Sequence, residues 1–119
     1  MQLAYCVTAT FPDEATRDEY AHWLEHGHLQ GVIAGGATDA ALLIPDDPPG
    51  RWRVHARYTF QSRDAFDRYV REAAPALRAE GLARFPPARG VSFERELAAI
   101  RVALSHVRPS DPVDSTPNP

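Results

Sequence analysis

The chain has 119 residues, 44% of them hydrophobic and 24% charged, with a formal net charge of -3 at pH 7. That size suits one domain around a single core, and the ordinary apolar content excludes wholesale disorder. The acidic balance argues against a general nucleic-acid binder, whose affinity rests on neutralising phosphates. All basic side chains other than histidine are arginine, which removes Schiff-base and other lysine chemistry.

The single cysteine, Cys6, cannot form an internal disulfide, so a reducing cytoplasm is the expected compartment. Met1 runs directly into a strand pattern without a basic n-region and apolar h-region, so no signal peptide is expected. No apolar run approaches the roughly 18 residues of a spanning helix, and no membrane partner is expected.

In chain order, Leu3, Tyr5, Val7 and Ala9 alternate with Ala4, Cys6, Thr8 and Thr10, the period of a first strand. Asp13 is placed to cap a helix whose apolar stripe is Tyr20, Trp23, Leu24 and Gly27, running to about His26. A short helical piece from Leu29 to Ala34 follows, stopped by Gly35 and Gly36. Ala37 to Ile44 reads as a second strand, and the Pro- and Asp-rich stretch 45–50 as its hairpin connection.

The stretch RWRVHARYTF, Arg51 to Phe60, alternates strictly. Trp52, Val54, Ala56, Tyr58 and Phe60 point one way, while Arg53, His55, Arg57 and Thr59 point the other. This third strand therefore has a core face and a wet, cationic face. Ser62 caps a helix with the stripe Phe66, Tyr69, Val70, Ala73 and Leu77, which Pro75 should kink or restart. Gly81 to Arg89 reads as loop, and Val91 to Leu97 as a fourth strand. Ala98 to Leu104 fits strand and helix periods equally.

The order β-α-β-β-α-β predicts an α+β, ferredoxin-like fold with a four-stranded antiparallel sheet and both helical regions on one face. Residues 1–104 form this domain, and 105–119 a Pro-rich tail, disordered at least from Pro109. The uncovered sheet face predicts a homodimer, packed sheet to sheet as a dimeric α+β barrel around a polar-lined cavity.

Several of these segments resemble the DUF4286 family of the dimeric α+β-barrel superfamily. The resemblance rests on Ala4-Tyr5-Cys6-Val7-Thr8, on Trp23-Leu24 with Gly27-His28, on Ala74 to Arg78 and on Gly81 to Pro86. It covers roughly residues 2 to 97 and implies a small subunit that dimerises through its sheet. The wider superfamily is similar in fold to cofactor-free monooxygenases, lactone isomerases and stress-response proteins. The family itself implies no settled activity, and fold-level likeness assigns no reaction.

Candidate chemistry comes from histidine and arginine. His22 and His26 fit H-x-x-E-H and share a helix face, but a working metal site needs a further fixed ligand and a substrate cleft. They are read as solvent-facing, and no metal is expected. His28, just after the first helix, is a candidate acid or base, its alternative being hydrogen bonding to loop carbonyls. Arg53 and Arg57 are candidate anion-binding residues with His55 as a second candidate base, the alternative being cross-strand pairing with Glu94 and Glu96. The same strand lacks the stacking aromatics of an RNA-recognition motif, and no nucleic-acid partner is expected. No Gly-rich phosphate loop occurs, and no cofactor is expected.

The sequence thus predicts a small-molecule-binding protein, acting if an enzyme by proton transfer or cofactor-independent oxygenation of an anionic organic substrate. The alternative is a non-catalytic dimerisation or stress-associated protein with no ligand.

Overall fold

The computed structural model describes residues 1–106. Strand β1, Leu3–Phe11, lies inside the sheet, flanked by β3, Trp52–Phe60, and β4, Ser92–Ala99, with β2, Asp39–Leu43, at the edge beyond β3. All pairs are antiparallel. This is the expected ferredoxin-like order, and the alternation of each strand carries into the register. Tyr5 faces Tyr58 on one side and Leu97 on the other, while Cys6 faces Arg57 and Glu96. Each pleat therefore joins odd residues of β1 to even residues of β3 and odd residues of β4.

The helices cover only the first of these faces. Helix α1, Glu14–Trp23, starts at Asp13, whose carboxylate accepts from the Thr16 N–H at 2.8 Å. It runs into a wider π-type turn, Leu24–His28, broken by Gly27 at φ 142, a conformation that favours glycine. Helix α2, Leu29–Ala34, leaves that elbow in a new direction. Helix α3, Arg63–Glu72, is capped by Ser62, which accepts from Ala65 N–H at 3.1 Å. Helix α4, Ala74–Arg84, restarts with Pro75 in its first turn, where a missing N–H costs nothing.

Beneath them lies an aromatic core. Phe60 is fully buried and meets Phe66 and Tyr69 with ring centroids 5.1 Å away in each case. Tyr20 and Phe85 pack edge to face at 5.1 Å, and Phe11 closes the same cluster. Such pairs add to the burial of large rings on the sheet.

Three boundaries differ from the sequence reading. Helix α4 continues through Gly81 to Arg84 instead of giving way to a loop there. Gly81 packs against Trp23, a Cβ at that position lying 3.4 Å from the indole, so tertiary packing overrides glycine's poor helix propensity. Strand β2 is shorter than Ala37 to Ile44, because Ala37 is buried at the end of the α2 turn and Thr38 only begins the pairing, its N–H reaching Thr59 O at 2.7 Å. Strand β4 runs on to Ala99, so the ambiguous stretch is strand at its start. From 101 to 106 there is no regular structure. The tail expected to be disordered lies outside the described residues from 107 onward. No helix among the described residues is long and apolar enough to cross a membrane.

Candidate functional site

Between the sheet and its helices lies a cavity of about 200 Å³. Its floor is the helix-facing side of the sheet, contributed by Tyr5, Val7, Tyr58, Phe93 and Arg95. Trp23, His28 and Val32 form one wall, and Tyr69, Leu77, Arg78 and Leu82 the other. The walls stand close together for a reason written in the sequence. A Cβ on Gly35 would sit 2.6 Å from that of Ala73, and one on Gly31 would sit 2.9 Å from Leu77 Cδ2, so the missing side chains let α2 approach α4.

His28 is the polar centre of the first wall. The Gly27 elbow turns it inward, where its ring stacks on Trp23 at 4.3 Å. Burial holds its pKa near 4, well below the usual 6.5, so at neutral pH it is an uncharged imidazole. Its Nδ1 is buried without a hydrogen-bond partner, alone in this among the side-chain N and O atoms of the described residues. The loop-carbonyl alternative for that nitrogen is thus not realised. A buried polar atom left unpaired costs stability, and such atoms often mark a place where something else binds.

Opposite stand phenols and guanidinium groups. Arg78 Nη2 donates to Tyr5 Oη at 3.2 Å, which leaves the phenolic proton of Tyr5 free to donate elsewhere. Burial pushes the Tyr69 hydroxyl up to about 12, against the opposing pull of Arg78 and Arg95. Tyr20 is likewise pushed up to about 12 by burial, and Tyr58 higher still. These phenols are neutral donors and acceptors around an otherwise apolar space.

The other sequence candidates lie across the sheet. Thr8 pairs with His55 in the register, and Thr8 Oγ1 lies 2.9 Å from His55 Nδ1. Arg53 makes a two-pronged bond to Asp47 of the hairpin, at 2.8 and 3.0 Å. The expected partners Glu94 and Glu96 belong to β4, which β1 separates from β3, about 10 Å away across two strand spacings. Arg57 is exposed beside half-buried Cys6 on this face. The sheet backbone therefore divides His28 from Arg53, His55 and Arg57, and the four residues do not form one site.

His22 and His26 stack with centroids 3.9 Å apart, and His26 Nδ1 lies 2.7 Å from the His22 carbonyl oxygen. No cluster of three or more His, Cys, Asp or Glu side chains able to hold a metal occurs among the described residues.

Sequence reasoning missed the cavity's arginines. Arg95 carried a readable signal, since a charged residue between Phe93 and Leu97 on the apolar phase of a strand is out of pattern. Arg78 carried none beyond its place next to Leu77 on the helix stripe. All four tyrosines, Tyr5, Tyr20, Tyr58 and Tyr69, read as core and are buried in it; only the packing of the helices over the sheet shows that they also line a cavity.

Fold and register define an α+β protein of the ferredoxin-like class. The family model described as a domain of unknown function, DUF4286, matches residues 2–100. The chain belongs to that family. No curated protein matches it. Among solved structures it is similar to two dimeric ferredoxin-like proteins from uncultured marine organisms. One has a TM-score of 0.69 at 8% identity, covering 89% of this chain and 100% of the other. The second has a TM-score of 0.63 at 13% identity, covering 87% and 98%. It is also similar to SnoaB, a cofactor-independent oxygenase from Streptomyces nogalater, with a TM-score of 0.61 at 15% identity, covering 88% and 98%. At these identities the likeness carries the fold.

Proposed function

We propose that the protein binds a small organic molecule in the cavity between sheet and helices, with His28 as the group that exchanges a hydrogen bond or a proton with it. The observation that carries this reading is the unpartnered, buried Nδ1 of His28 in the wall of an aromatic-lined cavity. The volume, about 200 Å³, lies below the roughly 300–1,000 Å³ of drug-sized sites, which favours a molecule of one or two rings.

The reaction class this lining supports is proton transfer. A neutral imidazole accepts the proton of an acidic O–H or C–H group, whose bond breaks as the N–H bond forms. Burial makes His28 a weak base in the empty site, but the anion produced would pair with the imidazolium and relieve that penalty. Oxygenation would add dioxygen as co-reactant to the resulting carbanion, as the likeness to SnoaB invites. No bound cofactor enters either step.

We place the open sheet face at the contact between two copies of the chain, in keeping with the dimeric ferredoxin-like neighbours. In this reading Arg53, His55 and Arg57 serve that contact and the sheet's own order. Native mass spectrometry of freshly purified protein tests both parts. The expected species is a dimer that retains or takes up a small aromatic molecule. A dimer that binds no member of an aromatic panel would favour the non-catalytic dimerisation reading, and a monomer would remove the sheet-to-sheet contact.

A further inference from the structure

The cavity's polar groups are unevenly matched. Its lining contains two guanidinium groups, Arg78 from α4 and Arg95 from β4, and no aspartate or glutamate. In a chain whose formal charge is -3, acids are the commoner ionised residues, so an acid-free lining with two cations runs against composition. Like most arginines of the described residues, neither forms an ion pair; what distinguishes them is that they line the cavity.

What the two arginines do touch is aromatic. Arg78 donates to the Tyr5 hydroxyl, and Arg95 lies over the Phe93 ring at 5.5 Å from its centroid. Both line the same cavity, and both lower the pKa of its Tyr69 hydroxyl against the effect of burial. Both residues are exposed to solvent as well as lining the cavity, so they belong to its accessible side. His28 and Trp23 stand on the other wall.

From this polarity we propose, building on the cavity reading above, that the ligand is an aromatic carboxylate or a comparable aromatic anion, held with its ring among Tyr5, Tyr58 and Trp23 and its anionic group between Arg78 and Arg95. An arginine fork binds a carboxylate through two parallel N–H bonds, and it keeps its charge at all ordinary pH. The free O–H of Tyr5, polarised by Arg78, adds a donor to the same group. The anionic end faces the opening, and the far end of the ring carries the hydroxyl or acidic hydrogen presented to His28. The anion subsite is thus formed by Arg78 and Arg95, on the opposite side of the sheet from Arg53 and Arg57.

A matched pair of probes tests the charge separately from the cavity. Binding of 2-naphthoate and of neutral 2-naphthalenemethanol is measured calorimetrically at low salt on the full chain. The expected result is that naphthoate binds at least ~10-fold more tightly, a factor typical of a well-made charged hydrogen-bond pair. In the Arg78→Gln/Arg95→Gln double variant that preference should fall to about twofold or less, chiefly through weaker binding of naphthoate and not through tighter binding of the alcohol. Arg78→Lys should retain part of the preference. Both arginines are exposed at the surface, and an unchanged thermal unfolding midpoint verifies that the variants fold. Equal binding of the two probes to the native protein would overturn the anion subsite and leave the cavity reading standing. A preference that survives in the double variant would place the anion elsewhere and overturn it too. Failure of both probes to bind would overturn the cavity reading together with this one.

Discussion

The two faces of one sheet treat their polar groups in opposite ways. On the open face, His55 meets Thr8 and Arg53 meets Asp47, so the conspicuous cationic row largely satisfies itself. On the helix-covered face, among apolar and aromatic side chains, His28 Nδ1 is buried with no partner, while Arg78 and Arg95 line the same cavity but stay exposed to water. The difference matters because an unpaired polar group costs most where water is least able to replace the lost bond. The abundance of charge therefore marks one face and the lack of a partner the other, and our proposal follows the second.

The largest effect should come from the rings beneath the cavity. Phe60→Ala empties a fully buried site between Phe66 and Tyr69, and should cost about 3–5 kcal/mol in urea-induced unfolding. A loss below about 1 kcal/mol would mean that this face is not the core.

The walls provide the next test. Gly35→Ala brings a methyl group to 2.6 Å from the Cβ of Ala73, which has no room to turn. It should destabilise the fold by about 1–3 kcal/mol through overpacking. Gly31→Ala meets only the end of Leu77, a flexible cavity-lining side chain. It should cost little in unfolding yet weaken ligand binding, as Leu77 moves to make room. Equal losses of stability in the two variants would argue that α2 and α4 do not approach as described.

Acid should act on the fold through His28. The pKa of His28 is near 4 in the folded chain against an ordinary 6.5. Between those values the unfolded chain holds a proton that the folded chain does not, so stability falls as pH drops through that window. Compared with His28→Gln, the native protein should lose up to about 2 kcal/mol more between pH 7 and pH 4.5, allowing for partial exposure of the ring. Chemical denaturation at the two pH values measures it, and parallel losses would show that the imidazole is not desolvated.

The smallest change should come from the open face. Thr8→Ala removes the hydroxyl beside His55 Nδ1, and should cost about 1 kcal/mol or less, the net worth of one neutral hydrogen bond. Affinity for an aromatic anion should not change, as titration calorimetry would register.

The strands were legible because their period-2 alternation survives translation into register: the odd positions of β1 and the even positions of β3 do share a face. The helix starts at Asp13 and Ser62 were equally plain, since each cap is a local bond between neighbours in sequence. His28 could be singled out from its place after a glycine turn, but its surroundings could not. The cavity itself was not legible. It depends on glycines at 31, 35 and 81: the first reads as an ordinary position in a short helix, the second as a helix stop and the third as the start of a loop, and all three act as places of close approach. Strand order was the other obstacle: with β1 lying between β3 and β4, Glu94 and Glu96 are not adjacent-strand neighbours of Arg53 and Arg57, and Arg53 bonds Asp47 instead.

The most direct measurement follows the ring resonances of His28 and His55 by NMR while 2-naphthoate is added. The expected result is a saturable shift at His28, with His55 unmoved behind the sheet. A shift at His55 that leaves His28 unmoved would put the binding site on the open face and contradict the assignment of the cavity.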